Sequence, residues 1–237
     1  MSILQQIINS KKEGKKLLAV LFDPDKVNLD RTGTLVQKIK NHADFIFVGG
    51  SNVSNGDTEI LVEQLKALTT IPIVLFPGDT SQITNAADAI LFLSLISGDN
   101  PEYLIKQQLK SVHVLQKTNL EIIPTGYILI DGGTETSVQN VSSTKPIAQS
   151  NLELVSRTAI AGMYLGKQLI YLEAGSGATD VVNQEIIKKV AKNISIPIIV
   201  GGGIRTKKQL DNAYDAGADL IVIGTAFEKN NLFFDTF

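Results

Sequence analysis

One carboxylate stands among small residues in YLEAGSGA, residues 171–178, directly after the apolar run LIYLEA. Glycines at a strand end let main-chain N–H groups approach a ligand closely, and clustered N–H groups favour anions. The pattern returns twice, in IPIIVGGGIRT (196–206) and ADLIVIGTAF (218–227). A phosphate monoester suits such groups, and a helix starting at either place adds a favourable dipole. The plain alternative is that Gly201–Gly203 only turn the chain. Glu173 is the only acid inside its strand end and lies two residues past Tyr171, hence on the same strand face. There it can accept a hydrogen bond from a substrate hydroxyl and take its proton, or else serve in a structural ion pair.

A second set of groups follows the first apolar run. LFDPDK (21–26) places Asp23, Asp25 and Lys26 just beyond it, and VGGSN (48–52) places Ser51 beyond the next. Carboxylates facing a phosphate site suit a hard divalent ion with oxygen ligands, and Mg²⁺ is the ion expected, with Ser51 adding a hydroxyl beside Asp23. Asp25 reads equally well as a turn residue, and Ser51 alone as an ordinary helix entry. His42 and His113 are not spaced as a metal pair, and no Ser/His/Asp arrangement can be assembled. The chain lacks cysteine, which removes disulfides, thiolate catalysis and Cys-based metal sites.

These groups need a scaffold that brings several strand ends to one place. The 237 residues are 43% hydrophobic, with a formal charge of −2 and no long basic block, so a nucleic-acid footprint is absent. No apolar run reaches the roughly 18–20 residues that span a bilayer, and the N-terminus lacks the order of a signal peptide, so the expectation is a cytoplasmic protein. Strands are expected at 17–22, 44–49, 71–76, 86–95, 121–130, 169–174, 196–201 and 218–224. Helices are expected at 30–41, 57–69, 101–117, 147–162, 180–193 and 206–216. Eight strands alternating with helices predict one α/β domain over 1–237, a single (β/α)₈ TIM barrel. A doubly wound sheet shares the alternation but not the strand count or the glycines after strands six to eight. Only TSQITNA (80–86) is available for the third crossover, so that helix is expected to be reduced or missing. The polar stretch 131–147 reads as a long functional loop.

LFDPDK, FVGGSN, PTGYIL, YLEAGSGA, VGGGIRT and IGTAF, in this order, resemble the geranylgeranylglyceryl phosphate synthase family, in the subgroup with the YLEAGSG motif, from about residue 17 to 227. VGGGI is shared by many phosphate-binding barrels; YLEAGSG with DPDK is the specific part. The resemblance implies a prenyltransferase that condenses sn-glycerol 1-phosphate with a polyprenyl diphosphate, most simply geranylgeranyl diphosphate, and releases diphosphate with the help of Mg²⁺. It implies metal ligation by Asp23 and Ser51, and catalysis by Asp23 and Glu173. It implies glycerol-phosphate binding by Tyr171, Leu172, Glu173, Ala174, Gly175, Ser176, Gly177, Gly202, Gly203, Gly224 and Thr225. Relatives assemble as homo-oligomers, and transient contact with a membrane surface is compatible with the product. Some relatives carry lysine where this chain has Leu21, and others asparagine where it has Thr225. The prenyl tail needs an apolar trough, for which Phe76, Pro77 and AILFLSL (89–95), beside the reduced third unit, are the candidates. A sugar-phosphate isomerase or epimerase would use GGGI and IGT equally well but needs two opposed acid/base groups. A non-catalytic phosphometabolite-binding protein would need neither Asp23 nor Glu173.

Overall fold

The apolar runs become strands β1 (Leu17–Phe22), β2 (Phe45–Val48), β3 (Ile73–Leu75), β4 (Ala89–Leu95), β5 (Glu121–Leu129), β6 (Leu169–Glu173), β7 (Ile198–Gly201) and β8 (Leu220–Ile223). In a computed structural model, which describes residues 1–50, 53, 57–229 and 233–236, they form a closed parallel barrel in chain order. β8 returns to β1 with Leu220 beside Leu17. Strand residues alternate between two cores because the side-chain period is two. Leu17, Ala19, Phe45, Phe47, Tyr171 and Val222 fill the barrel interior, while Leu18, Val20, Ile46, Leu172 and Ile221 face the surrounding helices.

Helix α1 (Ile3–Glu13) closes the N-terminal end of the barrel. Its Ile3 and Ile7 join the interior core, and Glu121 accepts hydrogen bonds from the Ile3 and Leu4 amides at 2.6 and 2.9 Å. These are donors that the first helical turn leaves without intrahelical partners. The outer layer contains α2 (Thr32–Ile39), α3 (Asp57–Leu68), α4 (Gln107–Leu115), a short α5 (Ser137–Ser142), α6 (Leu152–Tyr164), α7 (Gln184–Asn193), α8 (Lys207–Asp215) and α9 (Thr225–Lys229). Among the described residues, no helix is long and apolar enough to cross a membrane.

The third crossover is reduced as expected: β3 and β4 are joined through one 3₁₀ turn, Thr80–Gln82. Other boundaries moved for local reasons. The helix expected from residue 101 opens with a π-helical turn, Glu102–Lys106, before α4 begins. The helices expected from 147 and 180 start later, where Asn151 and Asn183 accept from the Leu154 and Glu185 amides as N-caps. The stretch 131–147 is not a plain loop: Thr136 caps α5 within it, and Ile147 pairs with Ile130 beyond the end of β5.

An aspartate immediately before β2, β4 and β8 ties the floor together. Asp44 accepts from the Leu18 amide at 3.0 Å, Asp88 from Ile73 at 2.7 Å and Asp219 from Ile198 at 2.8 Å. Each is also ion-paired, with Lys15, Lys66 and Lys11 respectively. Asp219 is the most buried of the three, so Asp219→Ala would leave the Ile198 amide without its partner inside the protein. We expect that variant to lose about 1–3 kcal/mol in chemical denaturation, with substrate affinities unchanged because the site lies at the other end of the barrel.

Candidate active site

A cavity of 330 Å³ opens at the C-terminal strand ends. Parallel strands bring their following loops to this one mouth, so residues far apart in sequence meet there. Asp23, Tyr171, Glu173, Gly175, Ser176, Gly177, Gly202, Gly203, Gly224 and Thr225 all line it. Leu172 and Ala174 do not. Strand alternation turns their side chains into the layer between barrel and helices, so that any contact they make with a ligand is through the main chain. Ser51 lies outside the described residues.

Glu173 ends β6 beside Gly201 of β7. The residue is 6% exposed, and Oε1 accepts the Gly175 amide at 2.7 Å. Burial pushes this carboxyl from its ordinary 4.5 up to about 7, with the Tyr171 hydroxyl and the Gly175 amide pulling it partly back. Burial, and then the nearby Glu173 charge, keeps the Tyr171 hydroxyl protonated well past its ordinary range. That hydroxyl is fully buried beside the Glu173 carboxyl and makes no hydrogen bond of good geometry within the protein. Its ring stacks on Phe76 at 5.2 Å and meets Tyr127 at 5.3 Å, forming an aromatic floor beneath the carboxylate.

The glycine-rich loops above Glu173 interlock. Gly202 has φ +83°, and a Cβ there would lie 2.5 Å from Glu173 Oε1 and 2.6 Å from the Gly175 nitrogen. Gly202→Ala therefore strains the backbone and pushes into the catalytic loop at once. We expect at least about tenfold weaker glycerol-phosphate binding by calorimetry, together with a lower melting temperature. Ser176 and Thr225 bring the loops after β6 and β8 together, with their hydroxyls 3.1 Å apart. Both residues lie at the cavity wall, where a phosphate could collect hydroxyl as well as main-chain donors.

Asp23 lines the cavity just beyond β1, 9% exposed, with Oδ1 accepting the Asp25 amide at 3.2 Å and Oδ2 paired to Lys26 at 2.6 Å. A Cβ on Gly50 would sit 2.7 Å from Asp23 Oδ1, so the glycine keeps open the space beside that oxygen. Gln82 holds Gly50 in place through both ends of its amide, at 3.2 Å from the Gly50 nitrogen and 2.8 Å to its oxygen. The turn that replaces the third helix thus positions the backbone next to Asp23. The cavity carries Asp23, Asp25, Asp79 and Glu173 against Lys26 and Arg205. Asp23, with the flank beside its Oδ1 kept open by Gly50, fits a hard cation of the Mg²⁺ type that would offset this acidity beside a phosphorylated ligand.

The same cavity has an apolar part, its arm, lined by Phe76, Ile83, Phe92, Tyr103, Val138 and Val141, with Phe76 part of the aromatic floor under Glu173. Phe76 and Phe92 come from the segments expected to form a trough. Tyr103 belongs to the π-helical turn, and Val138 and Val141 to α5, neither of which the sequence placed there. Tyr127 lay inside the quoted PTGYIL, where inward alternation was the available signal.

A profile of the PcrB family matches residues 8–237. A protein named geranylgeranylglyceryl phosphate synthase from Zunongwangia profunda is 54% identical over 96% of this chain and 97% of its own length. One of the same name from Thermococcus kodakarensis is 40% identical over 95% and 90%. The chain belongs to the PcrB family. A crystal structure of (S)-3-O-geranylgeranylglyceryl phosphate synthase from Thermoplasma acidophilum, in complex with its substrate sn-glycerol-1-phosphate, superposes on this PcrB-family barrel with a TM-score of 0.94 at 31% identity. It covers 100% of this chain and 95% of the other. The tryptophan synthase α-subunit of Pyrococcus furiosus shares the fold alone, with a TM-score of 0.54 at 13% identity, covering 90% of this chain and 88% of the other.

Proposed function

We propose that this protein is a prenyltransferase that joins sn-glycerol 1-phosphate to a polyprenyl diphosphate, with geranylgeranyl diphosphate as the expected donor, forming a prenylglyceryl phosphate ether and diphosphate. One observation carries the reading: a single cavity joins a glycine-rich anion cradle to an apolar arm, with the buried Glu173 carboxylate in its wall. The family's named relatives and the glycerol-phosphate complex of the Thermoplasma acidophilum enzyme support it.

The chemistry follows from where the groups sit. The loops 175–177, 202–203 and 224–225 hold the phosphate of the acceptor, leaving its glycerol hydroxyls toward Glu173. Glu173 Oε1 accepts the Gly175 amide, and the carboxylate retains acceptor capacity for the reacting hydroxyl. The prenyl chain lies in the apolar arm, which places its diphosphate near Asp23. Asp23 would hold a Mg²⁺ ion there, and the chemistry such an ion would supply is charge neutralisation for the leaving diphosphate. As the allylic C–O bond breaks, the glycerol oxygen bonds to that carbon and its proton passes to Glu173. Diphosphate leaves with the bonding electrons. A carboxyl poised near 7 suits the task, being ionised enough to accept a proton at neutral pH yet basic enough to take it.

The test is to incubate the protein with Mg²⁺, labelled sn-glycerol 1-phosphate and prenyl diphosphates from C15 to C35, and to follow label into organic solvent. Extractable product that depends on donor length is expected. Glycerol-phosphate binding with no product from any donor would contradict the proposal.

A further inference from the structure

We propose that Arg205 is a positioning residue that shapes the phosphate cradle by gathering main-chain carbonyls from two loops around one guanidinium. The inference rests on reading the glycine-rich loops as a phosphate site. Nη1 donates to the Gly203 carbonyl at 3.1 Å and to that of Thr179 at 3.5 Å; Nη2 donates to Gly177 at 3.3 Å and to Ala178. One side chain thereby fastens the loop after β6 to the loop after β7, across 26 to 28 residues of sequence. Arg205 is itself exposed at the cavity rim, so its contribution is polar rather than core packing.

The clamp acts on peptide planes. The Gly177, Ala178 and Thr179 carbonyls face Arg205, while the amides at the other edges of those planes are also held. Ala178 N–H reaches the Gly175 oxygen at 3.2 Å, and the Thr179 and Asp180 N–H groups reach the Gly132 oxygen at 2.9 and 3.0 Å. Three successive peptide units are thus fixed from both sides. The units just before them, at Ser176 and Gly177, are left along the cavity wall.

The guanidinium also neutralises the negative ends of the four carbonyl dipoles it gathers at the cavity rim. Its backbone is set by α8: Gln209 Oε1 accepts the Arg205 amide at 2.8 Å and that of Thr206 at 3.1 Å, within a capping box. A lysine presents one compact charge instead of a planar fork and cannot reproduce this geometry.

The experiment compares wild type, Arg205→Ala and Arg205→Lys in the full-length protein, by calorimetric titration with sn-glycerol 1-phosphate and, separately, inorganic phosphate. The expected result is about tenfold or greater weakening for both ligands in both variants, with the KM for prenyl diphosphate changed less than about twofold. Added methylguanidinium should restore affinity to Arg205→Ala, which a general loss of stability would not allow. Unchanged affinity in Arg205→Ala would overturn the proposal. So would weakening that methylguanidinium fails to repair and that comes with a lower melting temperature, since the residue would then be merely structural. Wild type that binds neither anion would overturn the cradle reading and the role of Arg205 together.

Discussion

Glu173→Gln is expected to lower kcat by about 10²–10⁴-fold and, at pH 8, to make the protein more stable. Both effects come from the same buried carboxyl. Gln keeps an oxygen for the Gly175 amide and nearly the same volume but cannot take the hydroxyl proton. The stability gain follows from linkage. The folded-state pKa, about 7, lies above the ordinary 4.5, so the folded state binds this proton more tightly than the unfolded chain does. Any stability the protonated carboxyl confers is fully present below 4.5, is lost as pH rises through 7, and stays lost above it. Ionised Glu173 therefore costs on the order of 3 kcal/mol at pH 8, a penalty the amide does not carry. Denaturation at pH 4 and pH 8 checks this: the advantage of Gln should appear at pH 8 and fade at pH 4. In the wild type, turnover should rise with pH through about 7 as the base becomes available, and this limb should vanish in the residual activity of Gln. A fully active variant would reduce Glu173 to a structural residue.

Asp23→Asn is expected to remove Mg²⁺-dependent turnover, by about 10²–10³-fold, while sn-glycerol 1-phosphate still binds with nearly wild-type affinity. The separation is geometric. Asp23 follows β1, and its hydrogen bond and ion pair go to Asp25 and Lys26 rather than to the loops 175–177, 202–203 and 224–225. Asn retains the acceptor for the Asp25 amide but not the charge that pairs with Lys26, so the fold should survive with little change in melting temperature. Turnover as a function of Mg²⁺, with calorimetric titration of glycerol phosphate in parallel, distinguishes the two halves of the site. Wild-type kinetics would remove Asp23 from metal binding, and loss of glycerol-phosphate affinity would show that the two halves are not independent.

The eight-strand barrel, the missing third helix and the placing of Asp23, Glu173 and the glycine loops at one mouth were legible in the sequence. Each rests on a signal the chain repeats locally: apolar runs, crossover length and glycine after a strand. What was hidden depends on contacts between distant segments. Arg205 reads locally as a residue at a helix entry, and nothing near it in sequence announces carbonyl partners at 177–179. Gln82 sits in a turn too short for a helix, where its grip on Gly50 is invisible without the barrel. Asp44, Asp88 and Asp219 look like turn residues one at a time, and only the parallel register reveals them as one device. The helix α5 escaped because it has only six residues inside a polar stretch; Thr136 as its cap and the i,i+3 pair Val138 and Val141 were the local signs. The outward turn of Leu172 and Ala174 was available from alternation, but the motif resemblance treated 171–177 as a unit.

The central claim is that the cradle presents a glycerol hydroxyl to Glu173 at the entrance of the apolar arm. A crystal structure with sn-glycerol 1-phosphate bound tests it most directly. The account predicts the phosphate against the loops 175–177, 202–203 and 224–225, with a glycerol hydroxyl within hydrogen-bond reach of Glu173 and the carbon side of the arm left open. A phosphate bound outside those loops, or a glycerol turned away from Glu173, would contradict it.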